Sequence, residues 1–185
     1  MRGAGSARLA LAGRRRLDGE GALRWRKKGP SPTDRAKPGT KRSLIVERSG
    51  GPLGAVVAGA NIHDAKLLAD TIEAIVVERP DPAAYPQHLC LDKGYDNPSG
   101  KGAAADAGYV PHIRRIGEEK LDEEGEKRHP ARRWVVERTL AWLSKCRAIL
   151  VRYDKKPANY LGLIQLACAL LWYRRLHRLT EAGTF

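Results

Sequence analysis

Hydrophobic and polar residues are distributed along this 185-residue chain in blocks that predict strands before helices. A weakly patterned first strand is predicted over residues 17–25, and a basic, proline-rich loop follows over 27–38. β-Branched residues then flank a Gly-Gly turn, a pattern that predicts a hairpin with strands at 43–47 and 53–60. The first part of the chain is therefore predicted to be mainly β-structure.

Helices and strands alternate in the rest of the chain. Apolar residues at helical spacing predict a helix over 65–77, which the segment 61–64 can cap. The remaining predicted elements are a strand at 88–92, an Ala-rich helix that ends at Gly108, a strand at 109–113, a charged loop at 114–130, a helix around Glu137 and a helix over 159–178. This order predicts an α/β fold, in which a mixed sheet is flanked by helices and active-site residues lie at strand ends.

The helix around Glu137 contains a charge that its apolar surroundings do not explain. Apolar side chains between residues 134 and 143 cover most of the helix circumference, a pattern that predicts a buried helix. A buried carboxylate without a partner carries a large energetic cost or becomes protonated. Two interpretations stay open: Glu137 faces a metal ion, or it forms a surface salt bridge with Arg133, four residues before it.

The charge of the chain indicates a polyanionic partner. Lys and Arg total 34 against 21 for Asp and Glu, which gives a net charge of +13, and nucleic acid is the commonest partner of so basic a protein. No apolar run is long enough to cross a membrane and no secretory signal is recognised, so a cytoplasmic location at the nucleoid is expected. Residues 1–16, rich in Ala, Gly and Arg, are expected to be a disordered or vestigial basic arm that precedes a domain at 17–180.

Three carboxylates occupy positions that suit shared chemistry. Asp18 lies on the first predicted strand, Asp92 ends the fourth and Glu137 lies in the apolar helix. Converging carboxylates repel each other unless a cation lies between them, and two Mg²⁺ ions about 3.5–4 Å apart would relieve that repulsion and support phosphodiester cleavage. The alternatives stay open, because Asp18 and Asp92 could also be ordinary turn residues.

The His63-Asp64 pair also has two interpretations. A His-Asp pair can bind metal, but no other ligand accompanies this one, and the pair stands at the start of a predicted helix. Helix capping is therefore the favoured interpretation.

Four segments of the chain together resemble a known family. They are GPSPTDRAKPGTKRSL (29–44), GPLGAVVAGANIHDAKLL (51–68), LCLDKGYDN (89–97) and a C-terminal segment (132–171) that begins RRWVVERTLAWL. In this order they resemble the DDE transposases of bacterial insertion sequences, most closely the group typified by insertion sequences four and five. The resemblance covers residues 29–179. It implies a ribonuclease H-like fold, a homodimer on double-stranded DNA, and metal-dependent strand cleavage and strand transfer at insertion-sequence ends.

The resemblance also implies roles for individual residues. It makes Asp18, Asp92 and Glu137 the catalytic residues and the ligands of two Mg²⁺ or Mn²⁺ ions. Arg133 matches the Arg that the family places four positions before the Glu, and it is expected to contact phosphate. Contacts to DNA are also expected from Lys145 and Lys93, and from Lys41 and Arg42, which continue the basic loop; a solvated charged loop is the open alternative for the last two.

The chain departs from the family pattern at two supporting positions and at its start. The family's Tyr before Arg133 and its Lys after Glu137 correspond here to Pro130 and Ser144, and Lys145 lies one residue late. Family members usually carry an N-terminal helical DNA-binding region, so this chain is expected to be N-terminally truncated. Two other functions therefore stay open: a catalytically inactive remnant that only binds DNA, and a basic structural protein of a ribonucleoprotein.

Overall fold

The computed structural model describes residues 7–10, 28–32, 35, 38–113 and 133–181. Its strands are β1 (Ala7–Ala10), β2 (Gly29–Pro30), β3 (Pro38–Glu47), β4 (Pro52–Gly59), β5 (Gln87–Leu91) and β6 (Tyr109–Ile113). Its helices are α1 (Asp64–Glu73), α2 (Pro98–Asp106), α3 (Arg133–Leu143), α4 (Arg147–Leu150) and α5 (Pro157–Glu181), with a 3₁₀ turn at Lys93–Tyr95. The described elements form a mixed α/β structure, as the order of sequence patterns predicts.

The strands form an antiparallel part and a parallel part. β3 pairs antiparallel with β4 on one side and with β1 on the other, and its first residues also pair antiparallel with the short β2. β5 and β6 pair in parallel, and β1 lies beside β5. The spatial order is therefore β4–β3–β1, followed by β5–β6.

The β3–β4 hairpin confirms the strand–turn–strand prediction. Its turn needs a residue in the left-handed region, and Gly50 supplies it at φ +92°. Glycine is needed at the neighbouring Gly51 for a different reason: a side-chain carbon there would overlap the ring of Trp172. The Gly-Gly pair thus serves both the turn and the packing of α5 against it.

The first strand lies earlier in the chain than the sequence pattern predicts. Backbone pairing places β1 at Ala7–Ala10, within the segment expected to be a disordered arm, where it joins β3 from Leu44 to Glu47. Such short strands depend on the partner edge, whose N–H and C=O groups need hydrogen-bond partners. The predicted strand at 17–25 lies outside the described residues.

Alternation along β3 divides the interior into two hydrophobic cores. Leu44 and Val46 face α3, α4 and α5, whereas Ile45 between them faces α1 and α2. The first core also holds buried residues of β4 and all three of those helices. The second core holds buried residues of β5, β6 and the Lys93–Tyr95 turn. The helices therefore cover both faces of the strands.

α1 begins where it is predicted to begin and ends sooner. The His63 side chain accepts a hydrogen bond from the Ala65 N–H, and its N-cap role confirms the capping interpretation. The helix ends at Glu73 rather than near Val77, because the Val76 N–H donates to the carbonyl of Leu53 at 3.2 Å. Pairing with the start of β4 takes a backbone group that the last helical turn would need.

α3 is amphipathic, so the prediction of an all-round buried helix is wrong. Val135, Val136, Leu140 and Leu143 are buried against β3 and β4. The opposite side, including Glu137, is exposed. The sequence pattern counts the two tryptophans as buried, but Trp134 is 56% exposed and Trp142 is 40% exposed.

α5 packs through its first half and extends to the hairpin turn. Tyr160, Ile164 and Ala167 are buried in the first core, and the Trp172 indole N–H donates to the Pro52 carbonyl at 2.7 Å. No helix in the described part of the chain is long and apolar enough to span a membrane.

Candidate active site

Asp92 lies one residue beyond the end of β5, at the point where the strand becomes a turn. Its carboxylate accepts a hydrogen bond from the Lys93 N–H at 2.8 Å and caps the 3₁₀ turn that follows. The side chain is half-buried. The turn-residue interpretation therefore describes its local contact, and that contact fixes the carboxylate at the end of a core strand.

A buried tyrosine links Asp92 to the start of α1. Tyr95 is 1% exposed, and burial, assisted by the negative charges of Asp64 and Asp92, raises the pKa of its hydroxyl far above the usual range. Tyr95 consequently stays a neutral phenol. Sequence reasoning missed this residue, although an aromatic residue three positions after a strand-end Asp is visible in KGYD.

Lys41 holds Asp64 from the neighbouring strand. The Lys41 ammonium forms an ion pair with the Asp64 carboxylate at 2.7 Å and donates to the Ile62 carbonyl at 2.6 Å. Its side chain is only 6% exposed. A buried ammonium needs such a partner, and this one ties the start of β3 to the start of α1 beside Tyr95.

Glu137 lies on the solvent-facing side of α3. The exposed residues around it include Trp134 and Arg138, whose guanidinium lies 4.8 Å from the centre of the Trp134 ring. Glu137 therefore does not carry the energetic cost of a buried carboxylate, because its side chain is exposed. Its exposure leaves it accessible to a large ligand.

Not all of the predicted catalytic group falls within the described residues. Asp18 lies outside them, and Arg133 begins α3 as a backbone position whose side chain is not described. Among the described side chains, no three His, Cys, Asp or Glu residues form a group that could hold a metal ion. Asp92 and Glu137 are thus the two predicted ligands whose positions the structure gives.

Lys41 and Arg42, two of the residues predicted to contact DNA, have buried side chains that are not accessible to DNA in this structure. Both are 6% exposed, because they lie within β3 rather than in a basic loop. Lys41 faces Asp64 on one side of the strand. On the other side, Arg42 donates to the Ser144 hydroxyl at 3.5 Å, and its second terminal nitrogen is buried without a hydrogen-bond partner.

A second buried guanidinium lies on the same side of β3 as Arg42. Arg152 is 3% exposed and donates to the Thr40 hydroxyl at 2.8 Å and to the Asp154 carbonyl at 2.9 Å. Its guanidinium carbon lies 5.3 Å from the centre of the Tyr160 ring. These contacts tie the chain after α4 to the start of β3, so the buried arginines on this side join α3, α4 and α5 to the strand.

Lys93 and Lys145 are exposed, so their predicted contacts with DNA stay predictions. Lys93 follows Asp92 directly, and Lys145 follows the last turn of α3. Each lies near a predicted catalytic residue in sequence and can reach a ligand in solvent.

Comparisons with known proteins identify the family of the chain. Residues 12–172 match the transposase DDE domain family. The chain is 34% identical over 159 residues to a protein assigned as the transposase for insertion sequence element IS402 of Burkholderia cepacia, and the alignment covers 84% of this chain and 73% of that protein. No solved structure matches the chain. The match extends over both described cores and over Asp92 and Glu137, and the chain therefore belongs to the DDE transposases of insertion sequences.

Proposed function

We propose that this chain is a DNA transposase that cleaves and transfers DNA strands at the ends of an insertion sequence. One observation carries the proposal: a chain of this family places Asp92 at the end of a core strand and Glu137 on the accessible face of α3. Asp92 and Glu137 are the second and third catalytic residues, and Asp18 is the first. Strand cleavage and strand transfer are both in-line displacements at phosphorus, so one set of carboxylates serves both.

The strand arrangement supports a ribonuclease H-like fold for residues 17–180 together with β1. Three strands in the order β4–β3–β1 are antiparallel, and β1 lies beside the parallel pair β5–β6. α1 crosses between β4 and β5, and α3 packs on β3 and β1. This arrangement matches the mixed, helix-flanked sheet that the family resemblance implies.

The oxygen donors of Asp92 and Glu137 are of the chemical type that suits Mg²⁺ or Mn²⁺. Carboxylate oxygens are the ligands that these hard cations prefer, and Asp92 and Glu137 supply them beside or on an exposed surface. Two such ions, held by these carboxylates, would supply the Lewis acidity that activates a water molecule and stabilises the leaving oxygen of the phosphodiester. Asp92 is held by the Lys93 N–H, so little side-chain freedom is lost when it binds a ligand.

Nicking of supercoiled plasmid tests the proposal. The full chain is incubated with plasmid carrying an insertion-sequence end, with Mg²⁺, with Mn²⁺ or with a chelator. Asp92→Asn and Glu137→Gln are expected to lower the nicking rate by about a thousandfold or more, because each removes charge from the reacting centre. Asp70→Asn and Glu73→Gln are matched controls, since both residues lie exposed on α1, and they are expected to nick at the original rate.

The same assay tests the alternative of an inactive remnant. Metal-independent binding of the plasmid without any nicking by the unchanged chain would favour a remnant that only binds DNA. Binding to double-stranded DNA as a homodimer and a cytoplasmic location at the nucleoid belong to the proposal, and sedimentation of the chain with an end-containing duplex tests the dimer.

A further inference from the structure

A cleft lies between the hairpin turn, α3 and α5. Its volume is about 380 Å³. Residues of all three elements line it, among them Pro52 from the turn, Arg138 and Trp142 from α3, and Arg175, Arg178 and Leu179 from α5. The cleft is distinct from the predicted metal ligands, but Arg138 directly follows Glu137 in α3.

The walls of the cleft are held by short contacts. The Arg138 guanidinium donates to the Ser49 carbonyl at 2.6 Å, and the Thr139 hydroxyl donates to the Gly50 carbonyl at 2.8 Å. Glu47 accepts hydrogen bonds from the N–H groups of Ser49 and Gly51 at 2.7 and 2.8 Å. The cleft is therefore pre-formed, which lowers the entropy cost of binding.

The cleft carries positive charge that the described residues do not neutralise. Arg175 forms an ion pair with Glu47 at 2.7 Å. Arg138 and Arg178 are exposed, and neither forms an ion pair with any carboxylate in the described part of the chain. Guanidinium groups that are positioned but not paired favour a phosphate, which accepts two parallel hydrogen bonds from one fork.

The cleft also has apolar walls, which a purely electrostatic surface would not need. Trp142 is 40% exposed and Leu179 is 39% exposed, and Leu171 and Pro52 complete the apolar lining. Small-molecule sites are clefts of roughly 300–1,000 Å³ with mainly apolar walls and a few placed polar groups. A ligand that combines a flat ring with a phosphate fits both halves of this lining.

We propose that the cleft binds one unpaired nucleotide of a DNA strand, with its phosphate on Arg138 and Arg178 and its base against Trp142. The inference rests on the proposed function, because a transposase separates and rejoins DNA strands. Aromatic side chains bind unstacked bases without sequence preference, and cationic grooves bind the adjoining phosphates. An intact duplex would present its phosphates and keep its bases stacked, so it would leave Trp142 and the leucines exposed.

Fluorescence anisotropy with labelled DNA tests the proposal. The full chain in an Asp92→Asn background is titrated with an oligothymidylate of about 12 nucleotides, with an abasic strand of the same length, and with a duplex. The double variant Arg138→Gln, Arg178→Gln is compared with Arg147→Gln, Arg174→Gln, which removes two exposed arginines outside the cleft. Circular dichroism confirms that both double variants are folded.

The cleft variant is expected to bind the oligothymidylate about tenfold more weakly. The slope of log K against the logarithm of the salt concentration is expected to fall in magnitude by about 1.4, because two phosphate contacts are lost and each contributes about 0.7 for a single strand. The control variant should keep the original slope. The unchanged chain should prefer the thymidylate to the abasic strand, and Trp142→Ala should abolish that preference.

Equal losses in the two double variants would attribute binding to general charge and overturn the proposal. The proposal would also be overturned if the cleft variant lost as much affinity for the duplex as for the single strand. The same holds if the unchanged chain bound the abasic strand as tightly as the oligothymidylate. The plasmid assay distinguishes this proposal from the proposed function. If nicking depends on Asp92 but the cleft variant binds the oligothymidylate normally, only the role of the cleft is refuted. Cleft-dependent binding without nicking by the unchanged chain would refute the transposase activity alone.

Discussion

Replacing Glu47 by Gln should destabilise the protein in a pH-dependent way. Glu47 ends β3 and holds the hairpin turn and α5 together. Its two carboxylate oxygens accept hydrogen bonds from the N–H groups of Ser49 and Gly51, and one oxygen also accepts from Arg175 at 2.7 Å. Gln has one side-chain oxygen, so one of the two turn N–H groups loses its acceptor and meets an amide donor instead.

The magnitude follows from these contacts. Losing one hydrogen bond to a charged acceptor costs about 1.5 kcal/mol. The ion pair adds no more than about 0.5 kcal/mol, because the Arg175 side chain is 34% exposed. The free energy of unfolding at neutral pH should therefore fall by about 2 kcal/mol, which for a domain of this size lowers Tm by roughly 4–8 °C.

The loss should disappear in acid. Burial alone would raise the pKa of Glu47, but the Ser49 and Gly51 N–H groups and the Arg175 guanidinium outweigh it, so the pKa is lowered from 4.5. A carboxylate with a lowered pKa stabilises the fold fully above its unfolded pKa. That stabilisation is lost as the pH falls through the folded pKa. The difference between Glu47 and Gln should be constant at near-neutral pH and shrink below pH 4.5.

Urea unfolding of both proteins across this pH range measures the difference. Glu73→Gln, on the exposed side of α1, is the control and should change the free energy of unfolding by less than about 0.5 kcal/mol at every pH. A difference for Glu47→Gln that is independent of pH would show that packing, rather than charge, decides it. A difference as small as that of the control would refute the role given to the turn contacts.

Three further predictions concern the cores and the cysteines. Leu143 is 2% exposed, so Leu143→Ala should lower the free energy of unfolding by about 2–5 kcal/mol; a loss under about 1 kcal/mol would contradict its place in the core. A methyl at Gly51 would overlap the Trp172 ring, so Gly51→Ala should shift the tryptophan emission spectrum, and an unchanged spectrum would contradict that contact. Burial raises the pKa of Cys168 to about 11, whereas Cys146 is exposed. Ellman's reagent at mildly alkaline pH should therefore label Cys146 promptly and Cys168 only after unfolding; prompt labelling of both would contradict the burial.

Elements specified by local pattern could be predicted from the sequence. The hairpin, β5 and β6 follow from alternation and turn residues, and β6 has the predicted bounds, Tyr109–Ile113. β1 could not be predicted in this way. It lies in an Ala- and Arg-rich tract without periodicity, and the edge of β3 supplies the pairing that makes it a strand.

The exposure of α3 and the burial of two basic residues also depend on partners distant in sequence. Trp134 is counted as apolar by any pattern, yet its ring lies at the surface under Arg138. The sequence pattern places Lys41 and Arg42 in a charged loop. In the structure they are buried on opposite sides of β3, where Lys41 pairs with Asp64 and Arg42 donates to Ser144. These pairings join residues up to 102 positions apart, so no local window contains them.

The positions of Asp92 and Glu137 relative to their elements were largely predictable. The sequence places Asp92 at the end of a strand, and the structure confirms that place one residue beyond β5. The sequence places Glu137 in a helix, and the structure confirms the helix while exposing the residue. The apolar pattern predicts a buried carboxylate at this position, whereas Glu137 is accessible to solvent.

Metal dependence of plasmid nicking by cysteine variants tests the central claim most directly, namely that Asp92 and Glu137 bind metal ions in one DNA-cleaving site. A thiolate is a poor ligand for Mg²⁺ and a better one for softer divalent ions. Asp92→Cys and Glu137→Cys should each abolish nicking with Mg²⁺ and recover part of it with Mn²⁺, whereas Glu73→Cys should nick normally with either ion. Nicking with Mg²⁺ that survives both substitutions would contradict the claim.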